Sequence, residues 1–428
     1  MEQRYYPALN ETVIREVLPN GLTIVLVPRP GFTKKLAYFV TDYGAIHTEF
    51  SVDGEAFTAP AGVAHYLEHK LFDMPGRDIS AEFAALGASV NAFTSFDMTA
   101  YYFGCTENFE QSLRLLLEFV STPYFTEESV AKEQGIIGQE IGMYEDNPES
   151  RIFDLLMQNM YRTHPVRTPI LGTRESIARI TPEILDRCHK AFYRPDNMLL
   201  CVVGDVDMNL LRRVAQEVLP EKPAETVSPR LHWPEEMTCP ESYGDTAMEV
   251  AMPMFQLGFK CEPLDRGEEA AKIEVIGDLA AEALFGESSR LYLRLYEQGL
   301  IDSAFGGGFE TIEGMAMLTA FGDSEDPEAV FEAILEEGAR LAAEGIPEGD
   351  FLRMKRSALG RRIRGLDSFD ATCFRICAYH FSDFDYFRFP EVYEKLDRND
   401  VQEFLRNVVT REHASLACIY PTNQEETI

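Results

Sequence analysis

Two imidazoles and a carboxylate fall within five consecutive residues, His65-Tyr66-Leu67-Glu68-His69. On a helix, neighbours three and four positions apart share a face, so His65 and His69 project together with Glu68 beside them. Two neutral imidazoles so placed can hold a zinc ion, and an adjacent carboxylate can take a proton from water at the metal. The order His-x-x-Glu-His reverses the commoner zinc-protease helix. The competing reading is a helix with a solvated polar face and no metal. Val63, Leu67 and Leu71 weigh against it, because they give the helix an apolar side to pack on a core. Phe72 continues the histidine side, so that side is not wholly wet either. Polar groups on a partly buried face need partners, and a metal is one.

A histidine pair needs a third protein ligand. A helix predicted from Thr126 to about Tyr144 offers two candidates, Glu133 and Glu140, seven residues apart and therefore on one face. Thr126 suits the N-cap, and Glu127 and Glu128 suit the first turn, where the helix dipole favours acids. Ile136 and Ile137 flank the carboxylates with apolar surface, and Gly135, Gly138 and Gly142 admit a closely packed neighbour. The alternative is two solvated carboxylates on an ordinary soluble helix.

The elements that must position these groups are legible around them. Val13–Leu18 and Leu22–Val27 read as strands about an Asn20-Gly21 turn. A strand from about Ala37 to Tyr43 precedes the histidine helix, which spans about Ala61 to Phe72. A short helix over Ala81–Leu86, two extended segments between Ala88 and Cys105, and a helix from Thr106 into Val120 follow. A helix and strand covering Thr181–Val203 recur, offset by 217 residues, as a helix and strand covering Asn399–Tyr420. An apolar helix, Ile273–Phe285, stands where the first copy has its histidines and carries none. The chain thus reads as two related α+β domains, each an antiparallel or mixed sheet packed with helices: residues 1–218, with the metal motif, and 248–428, without it. Five prolines between Pro220 and Pro240 mark a linker over 219–247.

At 428 residues the chain has room for two or three domains of roughly 150 residues each. Its formal charge of −32 argues against nucleic acid and anionic membrane as partners. The longest apolar run, Met198–Val203, is far short of the roughly twenty residues a membrane span needs. Met1–Pro7 is polar and lacks a signal-peptide stretch, so a cytoplasmic location is expected. The eight cysteines are scattered, form no Cys-x-x-Cys pair, and read as reduced core thiols.

Together these residues resemble the insulinase / mitochondrial processing peptidase family of inverted-motif zinc peptidases. The likeness runs through Pro19–Leu22, Gly62–His69, Gly87–Ser95, Glu133 with Glu140, His164–Gly172 and Ser288–Tyr292. Glu68–Phe72 and Gly135–Ile141 resemble a bacterial subgroup linked to modification of elongation factor P. The resemblance implies one zinc ion per chain, held by His65, His69 and Glu140, with Glu68 as general base and Glu133 supporting the site from behind. It also implies that the Asn91-Ala92 strand edge pairs with an extended peptide substrate. Active members carry an arginine and, seven residues on, a tyrosine in the second half. Arg294 fits the arginine, but position 301 is Ile. In short members a partner subunit supplies that surface, so the resemblance implies a homodimer or a heterodimer with a paralogous chain. The loss of the tyrosine favours the paralogue. The function expected is a zinc endopeptidase. The alternative is a zinc-holding peptide-recognition or modification-associated subunit that turns over little alone.

Overall fold

Gly21 sits at the Asn20-Gly21 turn with φ of 93°, in the region where a side chain is strained. A Cβ there would also lie 2.5 Å from that of Asp196. The turn closes the expected hairpin, between Glu11–Val17 and Thr23–Pro28. In the computed structural model, which describes residues 1–422, this hairpin belongs to the first of two compact units.

The first unit is built on seven strands: β1 (Glu2–Tyr6), β2 (Glu11–Val17), β3 (Thr23–Pro28), β4 (Lys35–Thr41), β5 (Ser89–Thr94), β6 (Thr99–Cys105) and β7 (Met198–Gly204). Their order is β1-β2-β3-β7-β4-β6-β5. Only β3 and β7 run parallel; the other neighbours are antiparallel. Every residue of β7 is buried, as the unbroken apolar run from Met198 requires of a strand covered on both faces. β5 is an edge strand, with its outer row of backbone groups unpaired in the sheet. Alternation along β6 points Tyr101 toward Phe72, at the end of the histidine helix, and Tyr102 to the opposite face with Phe93 and Phe374. The helix carrying Phe374, Phe369–Phe381, packs on β7 and β4.

The second unit holds β8 (Tyr243–Met248), β9 (Met254–Cys261), β10 (Gly306–Ile312), β11 (Met315–Asp323) and β12 (Ala414–Pro421). Their order, β8-β12-β9-β11-β10, repeats β3-β7-β4-β6-β5, down to the single parallel pair at the same place. The two domains inferred from the helix–strand repeat are therefore one topology used twice, and the chain has the two-domain α+β fold expected.

The units do not follow the two contiguous halves 1–218 and 248–428. The first comprises Met1–Ile141, Thr168–Leu231 and Ile363–Arg388; the second comprises Gly142–Arg167, His232–Arg362 and Phe389–Ile428, described to 422. Each half lends a helix to the other unit's sheet: Pro148–Met160 packs on β12, β9 and β8, as Phe369–Phe381 does on β7 and β4. Nor is 219–247 a free tether. Val227–Pro229 pairs with Glu49–Val52, and β8 starts within it. All eight cysteines are free and seven are buried. Among the described residues no helix is long and apolar enough to cross a membrane.

In the second unit Glu235, from the proline-rich segment, accepts the backbone N–H of Arg162, Thr163 and His164 at 2.9, 2.6 and 2.9 Å. Lys260 Nζ donates to it at 3.0 Å and to Met160 O at 2.9 Å. Both charged side chains are nearly buried, at 6% and 3% exposed. Burial alone would raise the Glu235 pKa, but these donors outweigh it and hold the carboxyl at about 2, against an ordinary 4.5. A depressed carboxyl stabilises the fold above its ordinary pKa and loses that contribution as pH falls toward the folded value. Glu235→Ala strands a buried ammonium, so denaturant unfolding at neutral pH should show a loss of about 3–5 kcal/mol. The gap to the wild type should narrow as pH falls from 4.5 toward 2.

Candidate metal centre

Helix α1 (Val63–Leu71) begins after Gly62, whose φ of 88° is left-handed and whose missing Cβ admits Leu171 O, 2.4 Å from where that atom would stand. Val63, Leu67 and Leu71 are at most 2% exposed, so the apolar stripe fixes the helix rotation and turns His65 and His69 the other way. Helix α2 (Glu127–Glu145) starts where Thr126 and Ser129 each accept the other's backbone N–H with a hydroxyl, both at 3.2 Å. Val130, Ile137 and Ile141 make its buried side. Ile136, the other apolar residue flanking the carboxylates, is 45% exposed. Tyr66 ties the two helices, its hydroxyl donating to Val130 O.

The donors predicted on separate segments meet. One ligand atom each from His65, His69 and Glu140 lies within 4.8 Å of the others, and among the described residues this is the group able to hold a metal ion. His65 Nε2 stands 3.7 Å from one Glu140 oxygen and His69 Nε2 stands 3.5 Å from the other. These gaps are too long for hydrogen bonds. They approach the roughly 3.4 Å edge of a tetrahedron with ligands about 2.05 Å from a metal. Glu133 is not in the triad. Its Oε1 lies 2.9 Å from His69 Nδ1, which fixes the proton on that nitrogen and leaves Nε2 free to face Glu140.

Burial, then the neighbouring His69, holds His65 at a pKa of about 3, so it is neutral and able to donate a lone pair. His65 Nδ1 is buried without a hydrogen-bond partner among the described residues. His69 is pushed the other way: burial lowers its pKa, but the Glu133 bond and the charges of Glu140 and Glu68 outweigh it. Glu68 is raised by burial, partly offset by the hydroxyl of Thr94, which donates to Oε2 at 2.6 Å. Three carboxylates thus converge on two imidazoles, an excess of negative charge that a divalent cation offsets. Two neutral-capable imidazoles and one carboxylate also suit a borderline metal.

Other predicted site residues stand apart from this group. Ala92 shares the α1-facing side of β5 with Thr94, whereas Asn91 points to the far face and its Oδ1 accepts the N–H of Ala92 at 2.9 Å. Arg294 belongs to the second unit, where it donates to Ala333 O at 3.4 Å and lies 3.7 Å from Glu336. Ile301 is buried there. Thr94 was not singled out from sequence; its signal was a hydroxyl two residues beyond Ala92, hence on the same strand face.

The matches with known proteins fall on the same segments. Residues 56–174 match the Insulinase (Peptidase family M16) profile, and residues 179–358 match the Peptidase M16 inactive domain. A protein of Bacillus subtilis strain 168 named "Uncharacterized zinc protease YmfH" is 38% identical, over 97% of this chain and 98% of its own length. A solved M16-like structure from Alicyclobacillus acidocaldarius superposes with a TM-score of 0.91 at 31% identity, covering 96% of this chain and 99% of its own. A Helicobacter pylori protease, at 19% identity and TM-score 0.81 over 96% of this chain and 99% of its own, shares the fold.

Replacing His65, His69 or Glu140 with Ala should abolish stoichiometric zinc uptake, read by elemental analysis after dialysis. Glu133→Gln should keep the three donors and weaken zinc about 10–100-fold in chelator competition, because His69 loses its orienting carboxylate.

Proposed function

Since the chain belongs to the insulinase (peptidase M16) family, we propose that it is a zinc endopeptidase acting on extended peptides. The observation that carries this reading is the position of Glu68. Its carboxylate is half-buried, adjoins a three-donor group of the right chemistry, and is bonded to the end of an edge strand. In this reading His65, His69 and Glu140 hold one zinc ion, and Glu133 orients His69.

When bound, the zinc ion supplies a water of lowered pKa and a Lewis-acidic contact for the scissile carbonyl. The protein supplies the rest. The outer edge of β5 at Asn91-Ala92 pairs with the peptide backbone and holds it extended. Asn91 must release the Ala92 N–H for that pairing, since its amide oxygen occupies it in the free strand. Glu68 takes the proton of the attacking water and returns it to the leaving amine. Arg294 contacts substrate on the strength of the resemblance; its side chain is 35% exposed.

A second reading, a zinc-holding peptide-recognition subunit completed by a paralogous partner, draws on Ile301, a buried apolar side chain where active relatives carry a tyrosine hydroxyl. Incubating the purified chain alone with a mixed peptide library separates the two; vigorous cleavage rejects the second.

Glu68→Gln should retain zinc and the fold while lowering peptide hydrolysis by about 10²–10⁴-fold, the usual worth of a positioned base. Hydrolysis unchanged in that variant, at full zinc occupancy, would remove Glu68 from the reaction.

A further inference from the structure

We infer that Thr94 is a positioning residue for the reaction: its hydroxyl aims the Glu68 carboxylate and couples it to the strand that receives the peptide. The inference rests on the peptidase reading above. Thr94 Oγ1 donates to Glu68 Oε2 at 2.6 Å. That bond engages one carboxylate oxygen and leaves Oε1 to face the reacting water. Glu68 needs such a tether because a like charge, Glu140, acts on it and its long side chain has several rotamers.

Thr94 is a stiff anchor. Its β-branched side chain has few rotamers. It pairs with Thr99 across the hairpin, and Thr99 Oγ1 is itself fixed by a 2.8 Å bond to Tyr43 O. The connecting turn is closed by Ser95 N donating to Met98 O at 2.8 Å and by Ser95 Oγ donating to Asp97 Oδ1 at 2.6 Å. Ala92 lies two residues before Thr94 on the same strand face. A peptide that pairs with the outer edge of β5 therefore draws on the strand that sets Glu68, so binding and alignment of the base act on one element.

The test compares Thr94→Val, which keeps the branched shape and removes the donor, with Thr94→Ser, which keeps the donor. Thr94→Val should lower kcat about 10–100-fold, the scale of a small misplacement of a reacting group. KM should stay within about twofold and zinc content should not change. Thr94→Ser should restore most of the rate. In the Glu68→Gln background, Thr94→Val should leave peptide affinity unchanged, because Thr94 acts through Glu68. An unchanged kcat in Thr94→Val, a Ser variant as impaired as Val, or weakened peptide binding in the double variant would overturn the inference. Crystal structures of zinc-loaded wild type and Thr94→Val give a readout that needs no turnover. The Glu68 carboxylate should be rotated or disordered in the variant, and finding it unmoved also overturns the inference. A wild type that cleaves no peptide would defeat the proposed function, while the two structures would still decide whether Thr94 sets Glu68.

Discussion

The bond between His69 Nδ1 and Glu133, 2.9 Å long, is the contact on which the centre depends. It decides which nitrogen of His69 carries the proton, and so which one can face Glu140. It also joins α1 to α2, as the Tyr66 bond to Val130 does half a site away. Two helices that each pack an apolar stripe inward are thereby locked in one relative rotation, with their polar groups converging. Burial of His65 and the crowding of Glu68, Glu133 and Glu140 follow from that convergence. Both are costly for an empty site and natural for one that holds a cation.

The same five-strand order occurs twice, and among the described residues only the first copy holds a group able to bind a metal. In the first unit the helix set against the edge strand is nine residues long and carries two histidines and a glutamate on its inward turn. In the second, the related helix Glu268–Phe285 is eighteen residues long and ends in Ala283-Leu284-Phe285. Its buried positions are apolar or small, including Val275, Leu279 and Leu284. Repetition of the fold preserved the scaffold, because strand order depends on alternation and turns. The donor group depends on a few side chains that packing does not require, so one copy can lack it and keep the fold.

Short-range periodicity carried most of the elements. The α1 stripe of Val63, Leu67 and Leu71, the Asn20-Gly21 turn, and the pair of extended segments after Gly87 each follow from spacing that one element must satisfy by itself. Readings failed where the deciding contact was remote. β1 was read as a polar N-terminus, because Glu2–Tyr6 is an edge strand whose first four residues are exposed and gain nothing from apolar patterning. The sequence also left open which of the adjacent, equally apolar Ile136 and Ile137 is buried; the rotation of α2 buries Ile137 and exposes Ile136. The proline-rich segment read as a linker gave no sign of its own anchoring, because the partner of Glu235, Lys260, lies 25 residues further on.

The sequence by itself determined that His65, Glu68 and His69 are neighbours, since they sit on one helical turn and local geometry brings them together in any fold that keeps the helix. It also determined the repeat, because each copy contains its own helix–strand pattern. Only the tertiary structure placed Glu140 beside both Nε2 atoms and Glu133 on His69 Nδ1, a difference that the resemblance implied and the helix period cannot distinguish. It likewise revealed the tether of Glu68 by Thr94 and the exchange of Gly142–Arg167 and Ile363–Arg388 between the units. The physical reason is common to all three: each depends on which groups are brought together across long stretches of chain, and the free energy that selects them comes from packing that no local window contains.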